Sequence, residues 1–489
     1  MSGTSGTSGT SGTVPDRMYI GGQWVEASDG GFVEIVDPAT EEVIGRVPKA
    51  TAADLDAALA AADSAWRSWR QVDAWTRSAA LRRVAGIIRE RVDEIADIMT
   101  GEQGKPLAES RAEVGAAADH FDWYADEARR IYGRVIDGHS RTNRLMVVRE
   151  PVGPVAAFCA WNFPVLLPAR KMAPAIAAGC SIIVTPAPEA PRTALCLARA
   201  CHDAGIPAGV VNVVCGDPPF ISERLISSPI IRKVSLTGSV PVGKLLLRQA
   251  ADGVKAVSME LGGHSPVLVF EDADIEEAAA AVVRAKFRNC GQVCVSPSRF
   301  FAHESVVEEF TRRVVELASG LKIGSGRDPA TEVGPLCNRR RLESVERMVA
   351  DAVGHGARVA LGGKRPKGCD RGLFYEPTVL CDVDDQMLVM REEPFGPLAP
   401  IASFTSMEEA LARANSTPYG LAGYVFTRSL KTAFLASEGL ETGMVGVNHL
   451  MLSTAEAPFG GVKESGLGRE GGAEGIESYT VAKCINMLL

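Results

Sequence analysis

The sequence has no long hydrophobic run and no excess of positive charge. No stretch of about 18 consecutive apolar residues occurs, so the chain offers no candidate transmembrane helix. Lysine and arginine total 52 against 60 acidic residues, and the resulting net charge of −8 argues against a nucleic acid or an acidic membrane as partner. The N-terminus lacks a basic segment followed by an apolar core, which argues against a secretory signal.

Cysteine is present but lacks the spacing that metals or disulfides require. The 11 cysteines form no Cys-x-x-Cys pair and no cluster with histidine, so no metal site is predicted. An odd number of scattered cysteines also does not indicate a disulfide framework. A reducing, cytoplasmic setting is therefore expected.

Length and composition predict a globular protein of two or more domains. A chain of 489 residues is too long for one ordinary core. Apolar residues make up 46% and charged residues 23%, as in ordinary globular proteins, and the plentiful glycine and proline with mixed helix-like and strand-like segments favour the α/β class. Residues 2–13 repeat Ser-Gly-Thr four times, so residues 1–16 are expected to form a disordered tail, either native or added.

Apolar runs that alternate with helix-like stretches predict parallel β-α-β units between residues 154 and 270. The runs are Val155–Cys159, Ser181–Val184, Val210–Cys215, Val234–Leu236 and Val267–Phe270. A second alternating set predicts another α/β domain, with helices at 272–286 and from about 305 and strands at 398–404 and 443–448. Segments 128–148 and 474–489 fit neither set and are interpreted as strands that pair with each other or with a neighbouring subunit.

Local patterns near the N-terminus predict a hairpin and two helical features. Met18 to Val25, with two glycines inside, indicates a small hairpin. Thr51 followed by Asp54 indicates an N-cap with a capping box. Spacings of three and four predict one amphipathic helix through Leu81, Val84, Ile87, Ile88, Val92 and Ile95.

Six segments far apart in the chain carry the chemistry. They are Trp161-Asn-Phe-Pro164, Met259-Glu-Leu-Gly-Gly-His-Ser-Pro266, Phe287-Arg-Asn-Cys-Gly-Gln-Val-Cys294, Glu393-Pro-Phe-Gly-Pro397, Pro458-Phe-Gly-Gly-Val-Lys463 and Ser465-Gly-Leu-Gly-Arg-Glu470. Together, in this order and spacing, they resemble the aldehyde dehydrogenase superfamily from about residue 17 to the C-terminus. Each alone would be a weak signal.

The resemblance implies a thiol-based oxidation of an aldehyde. Cys294 matches the nucleophile, and the Asn162 side-chain amide with the Cys294 backbone N–H matches the pair that stabilises the oxyanion. Glu260 matches the base that activates water against the thioester. Glu470 and Lys171 match residues that handle protons or water. Structural alternatives remain for three of them: Asn162 could cap a helix, Glu470 could join a surface pair, and Lys171 could snorkel.

The resemblance also implies an NAD(P) site. The turn Thr237-Gly-Ser-Val-Pro-Val-Gly243 follows a strand and opens a helix, so Gly238, Ser239 and Gly243 are expected beside the pyrophosphate. Val240-Pro241 replaces the Thr-Glu that the family usually has there. The further residues expected at the cofactor are Trp161, Leu261, Glu393 at the nicotinamide ribose, and Phe395.

The choice between NAD and NADP depends on two departures from the family pattern. Thr185 stands where a lysine commonly contacts the adenosine ribose or a 2′-phosphate, and its loss favours NAD. Pro188 stands where a glutamate often accepts from the ribose hydroxyls, and its loss disfavours tight NAD binding. Glu189 is one place along and could substitute. NAD is expected as the preferred cofactor, with NADP as the alternative.

The predicted substrate pocket carries two arginines. Arg170, Arg288 and Ser453 resemble the carboxylate anchor of the succinic semialdehyde dehydrogenases, and Phe163 and Phe459 complete the pocket. A small aldehyde with a remote carboxylate is therefore expected: succinic, glutaric or α-ketoglutaric semialdehyde. If the arginines face elsewhere, the alternative is a broad-specificity or aromatic aldehyde dehydrogenase.

More distant alternatives are a non-catalytic relative and a coenzyme A-dependent enzyme. Both are disfavoured because Cys294 and Glu260 are retained. Some succinic semialdehyde dehydrogenases have a second cysteine two residues after the nucleophile, which allows a disulfide switch; Ser296 stands there in this chain. A bridge from Cys290 would require rearrangement of the loop.

The resemblance implies the following domain organisation. A Rossmann-like dinucleotide-binding domain spans 17–127 and 149–259, and an α/β catalytic domain spans 260–446. A small β element at 128–148 and 474–489 is expected to serve oligomerisation, as a homodimer or homotetramer. Residues 447–473 link the parts and contribute to the substrate pocket.

Overall fold

The computed structural model describes residues 16–369 and 371–489. The Ser-Gly-Thr repeat, and with it the expected disordered tail apart from Asp16, lies outside the described residues. The strands are β1 Met18–Ile20, β2 Gln23–Val25, β3 Phe32–Asp37, β4 Glu42–Pro48, β5 Arg134–Asp137, β6 Asn143–Pro151, β7 Val155–Phe158, β8 Ile182–Thr185, β9 Val211–Val213, β10 Lys233–Thr237, β11 Ala256–Glu260, β12 Ser265–Val269, β13 Pro297–His303, β14 Arg358–Leu361, β15 Thr378–Cys381, β16 Leu398–Phe404, β17 Ala422–Phe426, β18 Met444–Val447, β19 Gly466–Leu467 and β20 Thr480–Leu488.

Helices alternate with these strands along most of the chain. They are α1 Ala52–Trp69, α2 Ala74–Glu90, α3 Val92–Gln103, α4 Leu107–Glu127, α5 Leu166–Ala178, α6 Arg192–Asp203, α7 Pro218–Ser227, α8 Val240–Asp252, α9 Ile275–Phe287, α10 Val307–Ser319, α11 Arg339–Gly354, α12 Leu388–Arg391, α13 Met407–Ala414, α14 Leu430–Gly439 and α15 Glu474–Glu477. No helix in the described ranges is long and apolar enough to cross a membrane.

The first large sheet has the order β19-β11-β10-β7-β8-β9-β1-β2. Its central strands β11, β10, β7, β8 and β9 are parallel, and the flanking pairs are antiparallel. The interior strands are apolar and buried on both faces, which is why their runs could be predicted. Sequence analysis did not predict β11, whose residues Ala-Val-Ser-Met-Glu form no continuous apolar run.

The second large sheet has the order β14-β15-β16-β13-β12-β17-β18, and only β14 pairs antiparallel among these strands. The apolar run Val267–Phe270 belongs here, as β12, and not with the other four runs. The predicted strands at 398–404 and 443–448 are β16 and β18, and the predicted helices at 272–286 and from about 305 are α9 and α10. The chain passes from the first sheet to the second between Glu260 and Ser265.

Two local predictions are confirmed and one is wrong. β1 and β2 form the expected hairpin, and Thr51 and Asp54 make a reciprocal capping box at the start of α1. The single helix predicted through Ile95 is two helices, because α2 ends at Glu90 and α3 begins at Val92. The apolar spacing continues across the break at Arg91 since both helices bury their apolar faces in one core.

The segments that fit neither domain pattern form a third sheet. Its order is β20-β6-β5, with both pairings antiparallel, so these segments do pair with each other. The observed strands differ from the expected segments at their ends. Strand β6 continues past the expected end at residue 148 to Pro151, and residues Glu474–Glu477 form the short helix α15 instead of a strand.

Candidate active site

Most of the predicted site residues line one cavity of about 380 Å³. Strands β7, β10 and β11 are parallel neighbours, so the segments that follow them emerge at the same edge of the sheet. These segments meet the Cys294 loop and the segments around Glu393 and Phe459. The predicted residues that line the cavity are Trp161, Asn162, Arg170, Gly238, Ser239, Glu260, Leu261, Cys294, Glu393, Phe395, Phe459 and Glu470.

The other predicted residues lie outside the cavity lining. Lys171 is buried behind the wall, and Thr185 is buried at the end of β8. Gly243 lies on α8 against Leu261, where an added Cβ would come within 2.5 Å of the leucine side chain. Phe163, Arg288 and Ser453 lie farther out on the substrate side, as described below.

Cys294 is half-buried and follows a tightly constrained turn. Asn289 and Cys290 both adopt left-handed backbone conformations, with φ of 48° and 53°, which non-glycine residues rarely adopt. A Cβ on the following Gly291 would lie 2.1 Å from the Gly396 carbonyl oxygen, so only glycine fits there. Burial, and then Glu393, raises the pKa of the Cys294 thiol to about 12.

Buried polar groups fix the position of Asn162. Its backbone carbonyl accepts from Lys105 Nζ at 2.7 Å and from Asn289 Nδ2 at 3.0 Å. Its side-chain Nδ2 donates to the Gln292 carbonyl at 3.1 Å, so Asn162 is tied to the loop that carries Cys294. Asn162 does not cap α5: the carboxylate of Glu113 accepts the first backbone N–H groups of that helix.

Two carboxylates and a lysine form a buried cluster beside the thiol. Glu260 is 3% exposed, and neither of its oxygens has a hydrogen-bond partner within the described part of the chain. Burial, and then the charge of Glu470, raises the pKa of Glu260 well above 4.5. Lys171 Nζ donates to Thr237 Oγ1 at 2.7 Å and also to Glu470. Glu470 and Lys171 are therefore an internal ion pair, which excludes the surface-pair and snorkelling alternatives.

Arg170 is a buried cation in the lining of the cavity. It is 2% exposed, and across residues 16–369 and 371–489 no carboxylate lies within ion-pair distance of it. Its Nη2 donates to Ser453 Oγ, its Nε donates to His120 Nε2 at 3.3 Å, and its guanidinium lies 4.2 Å from the centre of the Phe459 ring. The predicted pair of Arg170 and Ser453 is thus in direct contact.

The second predicted arginine lies near the same loop. Arg288 is half-buried, lies 5.2 Å from the centre of the Phe163 ring and directs Nη1 to Met451 Sδ at 3.8 Å. Met451 and Ser453 belong to one segment between β18 and β19, so both arginines contact this segment.

The opposite side of the cavity has the features of a dinucleotide site. Helix α8 begins after Ser239 with no side-chain cap, which leaves its first N–H groups without a partner from the capping residue. Glu393 accepts from the Gly263 N–H at 3.1 Å, and burial raises its pKa to about 7. The Trp161 and Phe395 rings meet edge to face with centroids 5.4 Å apart.

Several residues of the site were not predicted from the sequence. Arg340 and Arg341, at the start of α11, line the cavity, while Lys105 and His120 support Asn162 and Arg170 from outside it. Lys105 and His120 contact partners at least 50 positions away along the chain. Arg340 and Arg341 reach the cavity from another element. No local pattern marks such contacts, because they exist only after the elements pack.

Comparisons with known proteins agree with this geometry. The model of the aldehyde dehydrogenase family matches residues 24–485. A glutarate-semialdehyde dehydrogenase of Pseudomonas putida is 43% identical over 96% of this chain and 98% of its own length. The succinate-semialdehyde dehydrogenase [NADP(+)] of Escherichia coli is also 43% identical, over 96% of this chain and 97% of its own.

Two further comparisons broaden the set. A 3-sulfolactaldehyde dehydrogenase of Pseudomonas putida is 44% identical over 96% of each chain. The crystal structure of succinate-semialdehyde dehydrogenase from Burkholderia pseudomallei superposes with a TM-score of 0.96 at 44% identity, covering 97% of this chain and 98% of that one. The chain therefore belongs to the aldehyde dehydrogenase family, whose members are NAD(P)-dependent enzymes that oxidise aldehydes.

Proposed function

We propose that this enzyme oxidises a small aldehyde with a remote anionic group, in the first place a carboxylate, to the corresponding acid. The observation that carries the proposal is the buried Arg170, which has no internal carboxylate partner at ion-pair distance in the described ranges and lines the cavity that contains Cys294. An unpaired buried charge costs several kcal/mol, so a ligand that supplies the anion is strongly favoured. Succinic, glutaric and α-ketoglutaric semialdehydes belong to this class.

The names of the relatives support an anionic substrate. They refer to glutarate semialdehyde, succinate semialdehyde and 3-sulfolactaldehyde, each an aldehyde with a carboxylate or sulfonate. A planar guanidinium binds either group through two N–H donors, and the Ser453 hydroxyl adds a third. Arg288 is proposed to assist from the outer side of the pocket, and Phe163 and Phe459 are proposed to pack against the carbon chain.

In the proposed first step, Cys294 Sγ attacks the aldehyde carbon. The raised pKa of the thiol means that its proton must leave as the C–S bond forms, and Glu260 is the unpartnered base at the cavity. The negative charge that develops on oxygen is stabilised by Asn162 Nδ2 and the Cys294 backbone N–H. The hydrogen bond from Asn162 Nδ2 to Gln292 holds the amide in place before the substrate binds.

NAD(P)⁺, when bound, would supply the hydride acceptor, and loss of hydride from the adduct would leave a thioester on Cys294. Glu260 then takes a proton from water, and the resulting hydroxide attacks the thioester and releases the acid and the thiol. The ion pair of Lys171 and Glu470 lies beside Glu260 and is proposed to accept the proton that Glu260 gathers. The buried cluster gives the proton a route away from the reacting carbon.

The residues present fit a dinucleotide in this cavity. The N–H groups at the start of α8, with Gly238 and Ser239, are proposed to hold the pyrophosphate. Glu393 would accept from the nicotinamide ribose, and Phe395 with Trp161 would pack beside the ring. Gly243 keeps α8 close to Leu261, since any side chain there would clash with the leucine.

We propose that the cofactor site binds NADP as well as NAD. Glu189, which could have accepted from the ribose hydroxyls, accepts from Asn338 Nδ2 at 3.1 Å through Oε1. Arg340 lines the cavity and acts electrostatically on Glu189, so it is the cation proposed for a 2′-phosphate, whereas Arg341 acts on Glu393. Thr185 is buried, and its hydroxyl lacks a partner among the described residues, so it is available to the adenosine portion. We therefore propose, in place of the preference for NAD expected from the sequence, that NADP is accepted at least as well as NAD.

A substrate and cofactor panel tests these proposals. Succinic, glutaric and α-ketoglutaric semialdehydes should have a kcat/KM far above that of propanal or benzaldehyde, with NADPH or NADH formation as readout. Equal values for propanal or benzaldehyde would support the broad-specificity alternative and contradict the anionic substrate. A large preference for NAD over NADP would contradict the role given to Arg340.

A further inference from the structure

We propose that His120 is a positioning residue that creates the anion selectivity of the site, because its neutral imidazole orients Arg170 without neutralising its charge. This inference rests on the proposed anionic substrate and adds a determinant of its recognition. It concerns a residue of α4 that lies outside the six motif segments named in the sequence analysis.

The contacts of Arg170 show how the orientation is fixed. One edge of the guanidinium donates through Nε to His120 Nε2 at 3.3 Å, and the other end donates through Nη2 to Ser453 Oγ. The ring of Phe459 covers one face, 4.2 Å from the guanidinium carbon. These partners are an imidazole, a hydroxyl and a ring, and none of them carries negative charge.

The imidazole at this position is neutral. His120 is 2% exposed, and burial together with the adjacent Arg170 lowers its pKa well below 6.5. Since Nε2 accepts from an arginine, the ring proton is assigned to Nδ1, which is buried and has no hydrogen-bond partner among the described residues. His120 is therefore a neutral hydrogen-bond acceptor for Arg170 and not its counter-ion.

A carboxylate at the same place would have the opposite effect on binding. It would accept the same N–H but would form an internal ion pair with Arg170, and charge-assisted pairs of this kind are strong. The substrate anion would then have to compete with a permanently present carboxylate. A neutral acceptor holds the arginine equally well in geometry while leaving its full charge for the ligand.

The location of His120 agrees with this role. His120 also lines a second, open cavity of about 500 Å³, together with Ser453, with Arg89 of α2 and with the carboxylates Asp119, Asp122, Asp126 and Glu456. These carboxylates disfavour an anion inside the outer cavity, so the substrate anion is proposed to be held at Arg170 itself. Arg170 lines the catalytic cavity and Ser453 the outer one, so their hydrogen bond lies where the two cavities meet. A substrate whose aldehyde reaches Cys294 would direct its far end toward this contact.

Three substitutions separate orientation from charge. In His120→Gln a neutral acceptor remains, in His120→Leu the acceptor is lost, and in His120→Glu a counter-ion is added. The measured quantity is the ratio of kcat/KM for succinic semialdehyde to that for butanal. We expect His120→Glu to lower this ratio by about tenfold or more, mainly through KM of the semialdehyde, and His120→Gln to retain most of it. His120→Leu should fall between them.

Controls distinguish this effect from general damage. His202 lies on α6 and shares a hydrogen bond with the Tyr19 hydroxyl at 3.0 Å, and neither residue lines the catalytic cavity, so His202→Gln should leave the ratio unchanged. A merely structural role of His120 would lower kcat/KM for both aldehydes alike in all three variants and would overturn the proposal. If His120→Glu does not fold, the contrast between His120→Gln and His120→Leu decides the question without a new charge.

The proposed anionic substrate and the proposed role of His120 are contradicted by different results. If the wild-type enzyme does not prefer succinic semialdehyde to butanal, the proposed anionic substrate is wrong. If the wild type does prefer it and Arg170→Ala removes the preference, while the ratio in His120→Glu equals that of wild type, only the role of His120 is wrong.

Discussion

At the reaction centre, burial raises the pKa of both Cys294 and Glu260. A raised pKa keeps the thiol protonated at neutral pH and at the same time makes the carboxylate a stronger base. We therefore propose that the pair exchanges a proton as bonds form, instead of starting from a preformed thiolate. Gly460 permits this arrangement, since a Cβ there would lie 2.8 Å from Glu260 Oε1.

The pH dependence of the reaction should report Glu260. Because the base must be deprotonated, kcat/KM should fall as the pH drops through the raised pKa of Glu260, and the acidic limb should lie well above pH 4.5. Glu260→Gln should lower kcat by about a hundred- to ten-thousandfold and remove this limb. A pH–rate profile of both forms checks the prediction; an unchanged limb in Glu260→Gln would assign the titration to another group.

At the scale of elements, the start of α5 depends on a buried ion pair. Lys105 and Glu113 lie 2.5 Å apart with about 1% of each side chain exposed, and Glu113 also accepts two N–H groups of α5. Lys105→Met leaves the buried Glu113 without its counter-ion and should cost about 3–5 kcal/mol in the free energy of unfolding. Denaturant unfolding measures this loss.

A surface pair serves as the control for that measurement. Lys244 and Glu464 are 46% and 42% exposed, so Lys244→Met should change stability by less than about 1 kcal/mol. Equal losses of unfolding free energy in the two variants would contradict the proposal that the buried pair stabilises the start of α5. Replacing both partners, as Lys105→Met with Glu113→Leu, should recover part of the loss because no unpaired charge remains.

The elements show what the sequence could and could not predict. Interior strands such as β7 and β8 were predictable because burial on both faces leaves an apolar run in the sequence. The break at Arg91 was not predictable, because the apolar spacing continues across it. Strand β11 was not predictable either, because its five residues form no continuous apolar run. In the site, Cys294 and Glu260 followed from segments shared with the family. His120 and Arg340 did not, because their roles arise from contacts between distant elements.

At the scale of the whole molecule, two sheets built mainly of parallel strands meet around the catalytic cavity. We propose the division expected from the sequence, with the dinucleotide bound mainly by 17–127 and 149–259 and the thiol carried by 260–446. The chain from 447 to 473 returns to the first sheet as β19, which pairs with β11 beside Glu260. This return places Ser453, Phe459 and Glu470 at the site.

The third sheet is proposed as an oligomerisation surface. Its strands expose apolar side chains, with Val135 70% and Val481 45% exposed, and its edge strands β5 and β20 have no further strand beside them in the described chain. We expect light scattering to give two or four times the monomer mass, and Val135→Lys with Val481→Lys to shift the enzyme toward the monomer. A monomeric wild-type enzyme would contradict this proposal.

The most direct test of the account is the selectivity of Arg170 variants. It compares kcat/KM for succinic semialdehyde with that for butanal in the wild-type enzyme and in Arg170→Ala, with Arg288→Ala as a less buried second variant. The account predicts a large preference for the semialdehyde in the wild type that falls by about tenfold or more in Arg170→Ala, through KM of the semialdehyde. An unchanged ratio in both folded variants would contradict an anionic substrate held by these arginines.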